Sequence, residues 1–232
     1  MNYKLEELTN VKALLLDLDG TLINSEKAFF ESFKNILFNE YNISITSEDY
    51  KKYELEQNAM LLKQLRKNYS NIENISDNEI MSLIYRDYEK EFRKVIFEEE
   101  SIENFTLLKE LKKLKYKLAL VTTCRRYYLD ILIKELLLED LFDIIIARED
   151  IENLKPAPDA YLKALECLKL NEEYCLAIED SKRGIDAAIN SNLKTIQVNN
   201  FTSIKYTDDR CIQFDSANEV LNKILELKRL VK

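Results

Sequence analysis

VKALLLDLDGTLINSEK, residues Val11–Lys27, is the stretch on which the fold turns. An apolar run broken only by Lys12 ends in two aspartates, Asp17 and Asp19, and then in Gly20, one of two glycines in the chain. A short apolar run closed by a turn residue reads as a buried strand. A carboxylate at the end of such a strand is costly unless it is paired or bound to a metal. Asp17 and Asp19 are therefore candidate site residues, and the strand before them is their mount.

The same kind of run recurs after residue 100. YKLALVT (116–122), FDIIIA (142–147), YCLAIED (174–180), LKTIQVN (193–199) and CIQF (211–214) each precede or follow a stretch of helical periodicity. The helical stretches are RRYYLDILIKELLLEDLF, PDAYLKALECLKL, RGIDAAINSN and SANEVLNKILELKRLVK. Apolar strands alternating with helices predict an α/β fold, a Rossmann-like parallel sheet covered on both faces. Between Ser25 and Glu100 the pattern is helical throughout. EKAFFESFKNILFNEY, SEDYKKYELEQNAMLLKQLRKNY and SDNEIMSLIYRDYEKEFRKVIFEEE carry apolar residues at three- and four-residue spacing. Ser47 and Ser76 are predicted to cap the second and third of these. The expected organisation is an α/β core of residues 1–24 and 101–232, with an all-helical domain, 25–100, inserted after the first strand.

Composition narrows the chemistry. The 232 residues carry a net charge of −8, which argues against binding nucleic acid or an anionic membrane surface. No apolar run is long enough to span a bilayer, and the N-terminus has no signal-peptide core, so a cytoplasmic location is expected. There is no histidine, which excludes Ser-His-Asp triads and histidine-ligated zinc. With two glycines, neither a dinucleotide fingerprint nor a P-loop can be written. Cys124, Cys167, Cys175 and Cys211 form no C-x-x-C pair, and the last three are expected to be reduced core residues. Both prolines fall in KPAP, as Pro156 and Pro158, beside Lys155.

Ligands of open α/β sheets bind outside the carboxyl ends of the strands. There the first strand offers Asp17 and Asp19, the second Thr122 and Thr123, the loop after the third Lys155, and the fourth Glu179 and Asp180. Carboxylates, a hydroxyl and an ammonium suit a hard divalent cation together with a phosphoryl group.

DLDGTL (17–22), LALVTT (118–123), KPAPDAYLKAL (155–165) and AIEDSKRGIDAA (177–188) resemble, in order, the four motifs of the haloacid dehalogenase superfamily. D-x-D-G-T alone arises by chance in about one chain per thousand at average composition. The helical insert resembles the cap of the phosphoglycolate phosphatase and β-phosphoglucomutase branch, and the resemblance covers nearly the whole chain. It implies an Mg2+-dependent phosphatase acting on a small phosphorylated metabolite, phosphoglycolate-like or sugar-phosphate-like, through an aspartyl-phosphate.

The resemblance also implies roles. Asp17 is the nucleophile. Asp19 is the general acid and then base, and its backbone carbonyl is a metal ligand. Asp180 is the second metal carboxylate, with Glu179 beside it as an outer partner that orients bound water. Thr122 donates to a phosphoryl oxygen, and Lys155 balances the charge of Asp17 and the phosphoryl group. Gly20 allows close backbone approach, and Gly184 is expected to serve packing. Substrate contacts are expected from Gly20 and Thr123, from Arg125 or its neighbour Arg126 as a fork for a second anionic group, and from Gln57 and Asn58 in the position of the family's specificity loop. A monomer or weak homodimer is the expected state. A phosphomutase is the alternative, disfavoured because Phe29 stands where β-phosphoglucomutases carry a cap histidine. A dehalogenase is disfavoured by Asp19, and a catalytically silent metabolite-binding protein by four unbroken motifs.

Overall fold

Leu14, Leu15 and Leu16 are inaccessible to solvent on both faces, as the interior strand of a parallel sheet must be. The computed structural model describes residues 5–54, 58–201 and 208–230. In it β1 (Ala13–Leu16) pairs with β2 (Lys117–Val121) on one side and β4 (Cys175–Glu179) on the other. β3 (Ile144–Ile146), β5 (Lys194–Val198) and β6 (Ile212–Phe214) complete a six-stranded sheet in the order β3-β2-β1-β4-β5-β6. Every pairing is parallel. The expected Rossmann-like α/β core with a helical insert is thus what the chain adopts.

Chain order runs outward from β1 in one direction to β3, then returns to β4 and runs outward in the other. The order therefore reverses between β1 and β4, where open α/β sheets place their ligands. Helices α5 (Glu99–Lys113), α6 (Arg126–Glu135), α7 (Asp159–Leu168), α8 (Lys182–Asn190) and α9 (Ala217–Leu230) belong to the same unit. Tyr161, Ala160 and Ala164 of α7 pack with Ala187 and Ala188 of α8 on Leu15, Ala119, Val121 and Ala177 of the sheet. Small residues there let helices approach the strands closely, at a density that resists substitution.

Two differences from the sequence pattern have plain causes. α5 lies in 99–113, where the apolar runs mark no element, because Ser101, Asn104, Phe105, Leu108 and Leu111 bury a stripe that mixes polar with apolar residues. The long periodic stretch from Arg125 stops as a helix at Glu135, and Leu137 takes a left-handed φ of 54°.

Residues Ser25–Val95 form a second compact unit. It contains α1 (Ser25–Tyr41), α2 (Ser47–Glu54), α3 (Asn58–Asn68) and α4 (Asp77–Val95). Its core gathers Phe33, Leu37, Leu62, Ile72, Ile80 and Ile84. The stretch from Ser47 to Tyr69 is two helices, and 55–57 between them lie outside the described residues. The cap of α2 is Thr46, one residue earlier than expected: Asp49 N donates to Thr46 Oγ1 at 3.1 Å and Thr46 N donates back to Asp49 Oδ2 at 3.0 Å. A threonine takes the position because this reciprocal pair spans residues three apart, and Thr46–Asp49 has that spacing with a carboxylate. Ser76 caps α4 as expected, accepting from Glu79 N at 3.2 Å. Among the described residues no helix is long and apolar enough to cross a membrane. All four cysteines are free; Cys175 is buried, Cys211 half-buried, and Cys167 is exposed rather than in the core.

Candidate active site

Parallel pairing in register sets the ends of β1, β2 and β4 side by side, with Leu16 opposite both Leu120 and Ile178. Asp17, Thr122, Glu179 and Asp180 follow at those ends. Asp17 N donates to Ile178 O at 3.1 Å and Thr122 N to Ile146 O at 3.0 Å, so the ladder holds the first residue beyond β1 and β2 as firmly as the strands themselves. Lys155 arrives from the loop between β3 and α7, ahead of a cis peptide bond to Pro156.

Lys155 is buried, at 4 % exposure, and its three ammonium protons have three acceptors. Nζ donates to Asp17 Oδ1 at 2.6 Å, to Glu179 Oε1 at 2.6 Å and to Val121 O at 2.8 Å. Burial opposes the ammonium charge, yet the Asp17 and Glu179 carboxylates outweigh it and raise the lysine above its ordinary range. Burial also pushes Asp17 well above the usual carboxylate range, reinforced by the Glu179 charge and opposed by Lys155. Burial and Glu179 push Asp180 up to about 7.

Asp17, Glu179 and Asp180 each offer a carboxylate oxygen, all within 4.8 Å of one another. One ammonium among three clustered carboxylates leaves negative charge uncompensated. Glu179 Oε2 is buried with no hydrogen-bond partner among the described residues. The donors are hard oxygens, the set preferred by Mg2+ and Ca2+ rather than by softer metals. Two glycines shape the cradle. A Cβ on Gly20, which has φ +85°, would overlap the Asp180 carboxylate, and one on Gly184 would overlap the Glu179 carboxylate. These residues fit a divalent cation.

Asp19 is half-buried and forms an isolated bridge with Ile23. Thr122 Oγ1 donates to Asp19 Oδ2 at 3.2 Å and accepts from Cys124 N at 3.0 Å, so in this arrangement the threonine hydroxyl addresses the second aspartate. Cys124 adds no nucleophile here, because burial and the charges of Asp19 and Asp17 raise its thiol.

A family model described as haloacid dehalogenase-like hydrolase matches residues 14–198. The chain belongs to that family. A curated relative, pyrophosphatase PpaX of Bacillus mycoides, is 31 % identical over 81 % of this chain and 83 % of its own length. Among solved structures, a haloacid dehalogenase-superfamily hydrolase of subfamily IA from Geobacter sulfurreducens matches with a TM-score of 0.72 at 18 % identity, covering 93 % of this chain and 97 % of that one. A β-phosphoglucomutase from Clostridium difficile matches with a TM-score of 0.63 at 21 % identity, covering 96 % and 100 %.

In this haloacid dehalogenase-like hydrolase the structure brings Asp17, Asp19, Thr122, Lys155, Glu179 and Asp180 to one end of the sheet. Thr123 follows, half-buried, and Arg125 stands exposed at the residue before α6. Arg126 is committed elsewhere: its guanidinium pairs with Asp150 and donates to Ile145 O. Gln57 lies outside the described residues, and Asn58 is described only as the first residue of α3.

Three supporting groups escaped the sequence reading. Tyr161 OH donates to Glu179 Oε1 at 2.7 Å. Arg183 donates twice to the Lys155 carbonyl oxygen, from Nε at 3.0 Å and from its terminal nitrogen. Asn104, fully buried on α5, donates from Nδ2 to Leu22 O at 3.0 Å, tying down the turn after Gly20. A polar group on an otherwise apolar helical stripe is the signal that Tyr161 offered, whereas Asn104 shares its stripe with Ser101 and offered none. Nothing local marked Arg183, because its partner is a backbone oxygen 28 residues away.

Proposed function

We propose that this hydrolase is an Mg2+-dependent phosphatase that removes the phosphoryl group of a small phosphorylated metabolite through an aspartyl-phosphate on Asp17. The observation that carries the reading is the buried Lys155 ammonium, 2.6 Å from a carboxylate at the tip of the central strand. A carboxylate that only needed stability would not be placed at an open strand end among two others.

In this reading an Asp17 oxygen attacks phosphorus, forming the acyl-phosphate bond as the ester bond breaks. The leaving oxygen takes a proton from Asp19, two residues further along. Asp19, now ionised, accepts a proton from the water that attacks phosphorus in the second step, releasing inorganic phosphate and restoring Asp17. Lys155 offsets the charge of Asp17 and of the phosphoryl oxygens in both steps, and Thr123 lies beside Thr122 at the rim. A bound Mg2+, held by Asp17, the Asp19 carbonyl, Asp180 and Glu179, would neutralise charge on the phosphoryl oxygens. Positioning and electrostatics suffice for phosphoryl transfer, so no histidine is needed.

Inorganic pyrophosphate is a specific candidate substrate, favoured by the name of the 31 %-identical Bacillus relative. Sugar phosphates and phosphoglycolate are the others. The mutase alternative has less support, since a histidine-free chain with Phe29 in α1 offers no imidazole to handle a sugar hydroxyl. The test is hydrolysis of p-nitrophenyl phosphate, pyrophosphate, phosphoglycolate and hexose phosphates with and without Mg2+. The wild type is expected to release phosphate only with the metal, and Asp17→Asn to lose at least a thousandfold in kcat. Equal turnover by Asp17→Asn would overturn the nucleophile; no turnover of any phosphate compound would overturn the reading as a phosphatase.

A further inference from the structure

We propose that Tyr161 is a positioning residue of this site: its buried hydroxyl fixes the Glu179 carboxylate so that Oε1 faces Lys155 and Oε2 is left available to a divalent cation. The proposal rests on the metal-dependent reading above and goes beyond it, to a residue that touches neither substrate nor metal.

Glu179 Oε1 accepts two hydrogen bonds, 2.6 Å from Lys155 Nζ and 2.7 Å from Tyr161 OH. Oε2 is buried without a partner among the described residues. A carboxylate hinged on Lys155 alone could rotate, exchanging its oxygens or swinging toward Asp17, which shares the same ammonium. Two donors on one oxygen fix the plane of the group. Gly184 packs directly against the carboxylate, since a Cβ there would collide with both of its oxygens. The Glu179 carboxylate stands with those of Asp17 and Asp180 in the cluster that could hold an ion, each residue offering one oxygen within 4.8 Å of the others.

Tyr161 is built for this. It is fully buried, one of the largest side chains to be so, and sits on the first turn of α7, six residues from Lys155 by way of the two prolines. Its ring centroid lies 5.1 Å from Lys155 Nζ, so the same side chain also packs against the ammonium. A phenylalanine would fill the same volume. The hydroxyl, rather than the ring, is what packing alone leaves unexplained: hidden from water, it has Glu179 as its acceptor.

Partners that orient metal-ligating carboxylates typically change metal affinity or activity by about 10–100-fold when lost. The test is therefore Tyr161→Phe in the full chain, with Mg2+ binding measured by titration calorimetry in the absence of substrate. Turnover of p-nitrophenyl phosphate and thermal unfolding in EDTA are measured alongside. Expected are an Mg2+ Kd about tenfold weaker, a KM for p-nitrophenyl phosphate within twofold, and an unfolding midpoint close to wild type. The same substitution in a Glu179→Gln background separates positioning from general damage. If Tyr161 acts through Glu179, its effect on Mg2+ Kd shrinks below twofold there.

An Mg2+ Kd within twofold of wild type in Tyr161→Phe overturns the proposal. So does an equal loss in both backgrounds, or a wild-type chain that binds no Mg2+. If the wild type binds Mg2+, Tyr161→Phe weakens it more than twofold in the coupled manner, and neither protein hydrolyses a phosphate compound, positioning stands and the phosphatase reading falls.

Discussion

Lys155 Nζ lies 2.6 Å from Asp17 Oδ1 although the two residues are 138 positions apart in the chain. They meet because β1 is the middle of the sheet and the loop after β3 folds back over its end. The pair is buried, Glu179 joins it at 2.6 Å from the same ammonium, and both carboxylates depend on that one charge.

Removing that ammonium is therefore expected to be severe. In Lys155→Met two buried carboxylates lose their counter-charge, and breaking one partner of a buried ion pair typically costs about 3–5 kcal/mol. Urea unfolding in EDTA should show this loss at pH 7. The cost should lessen at lower pH, where the orphaned carboxylates take up protons. A midpoint matching wild type at pH 7 would contradict the geometry.

The Arg183 guanidinium holds the Lys155 backbone carbonyl by two hydrogen bonds. Lys155 delivers its ammonium from a loop, not from a strand, so the clamp decides where the ammonium rests. Arg183→Ala is expected to lower kcat for a phosphate ester by about tenfold, on the scale of one lost charge-assisted hydrogen bond. Since Arg183 sits on an exposed helix start, the unfolding midpoint should move little. Arg183→Lys should recover only part of the rate, because one ammonium cannot reproduce the fork.

Gly20→Ala combines two faults: φ is +85°, and the new Cβ would overlap the Asp180 carboxylate. Strain of this kind costs about 1–3 kcal/mol. Displacing Asp180 should in addition weaken Mg2+ binding, so calorimetry and thermal unfolding should both register the change.

Asp143 lies at the opposite end of the sheet, where it bonds Lys112 at 2.5 Å, Lys117 at 2.8 Å and Leu118 N at 2.9 Å. Partial burial works against its charge, but these donors win and lower it from 3.8 to about 2. A carboxylate depressed on folding stabilises the fold fully above its unfolded value and loses that contribution as pH falls through the folded value. Asp143→Asn is expected to cost about 1–2 kcal/mol at pH 7. Its stability should converge on that of wild type between pH 4 and pH 2, where denaturant midpoints measured across the range should meet.

The strands and the acidic ends of β1 and β4 could be read from the chain because both signals are local. Leu14–Leu16 and Cys175–Ile178 are apolar throughout, which for a strand inside a sheet requires cover on both faces, and a carboxylate at such a strand end requires a partner. The four motifs, each a few residues long, carried the family for the same reason. Local pattern missed α5, whose buried stripe includes Ser101 and Asn104, and it split neither α2 from α3 nor Thr46 from Ser47 as the cap. The partnerships belong to tertiary structure alone. That Lys155 serves two carboxylates, that Arg183 grips its carbonyl, that Thr122 points to Asp19 and that Tyr161 reaches Glu179 follow from strand order and register, which bring together residues far apart in sequence. Sequence by itself determined which chemical groups stand at the strand ends. The folded sheet decided which of them touch, because a hydrogen bond needs about 3 Å between two atoms and no local pattern specifies that distance.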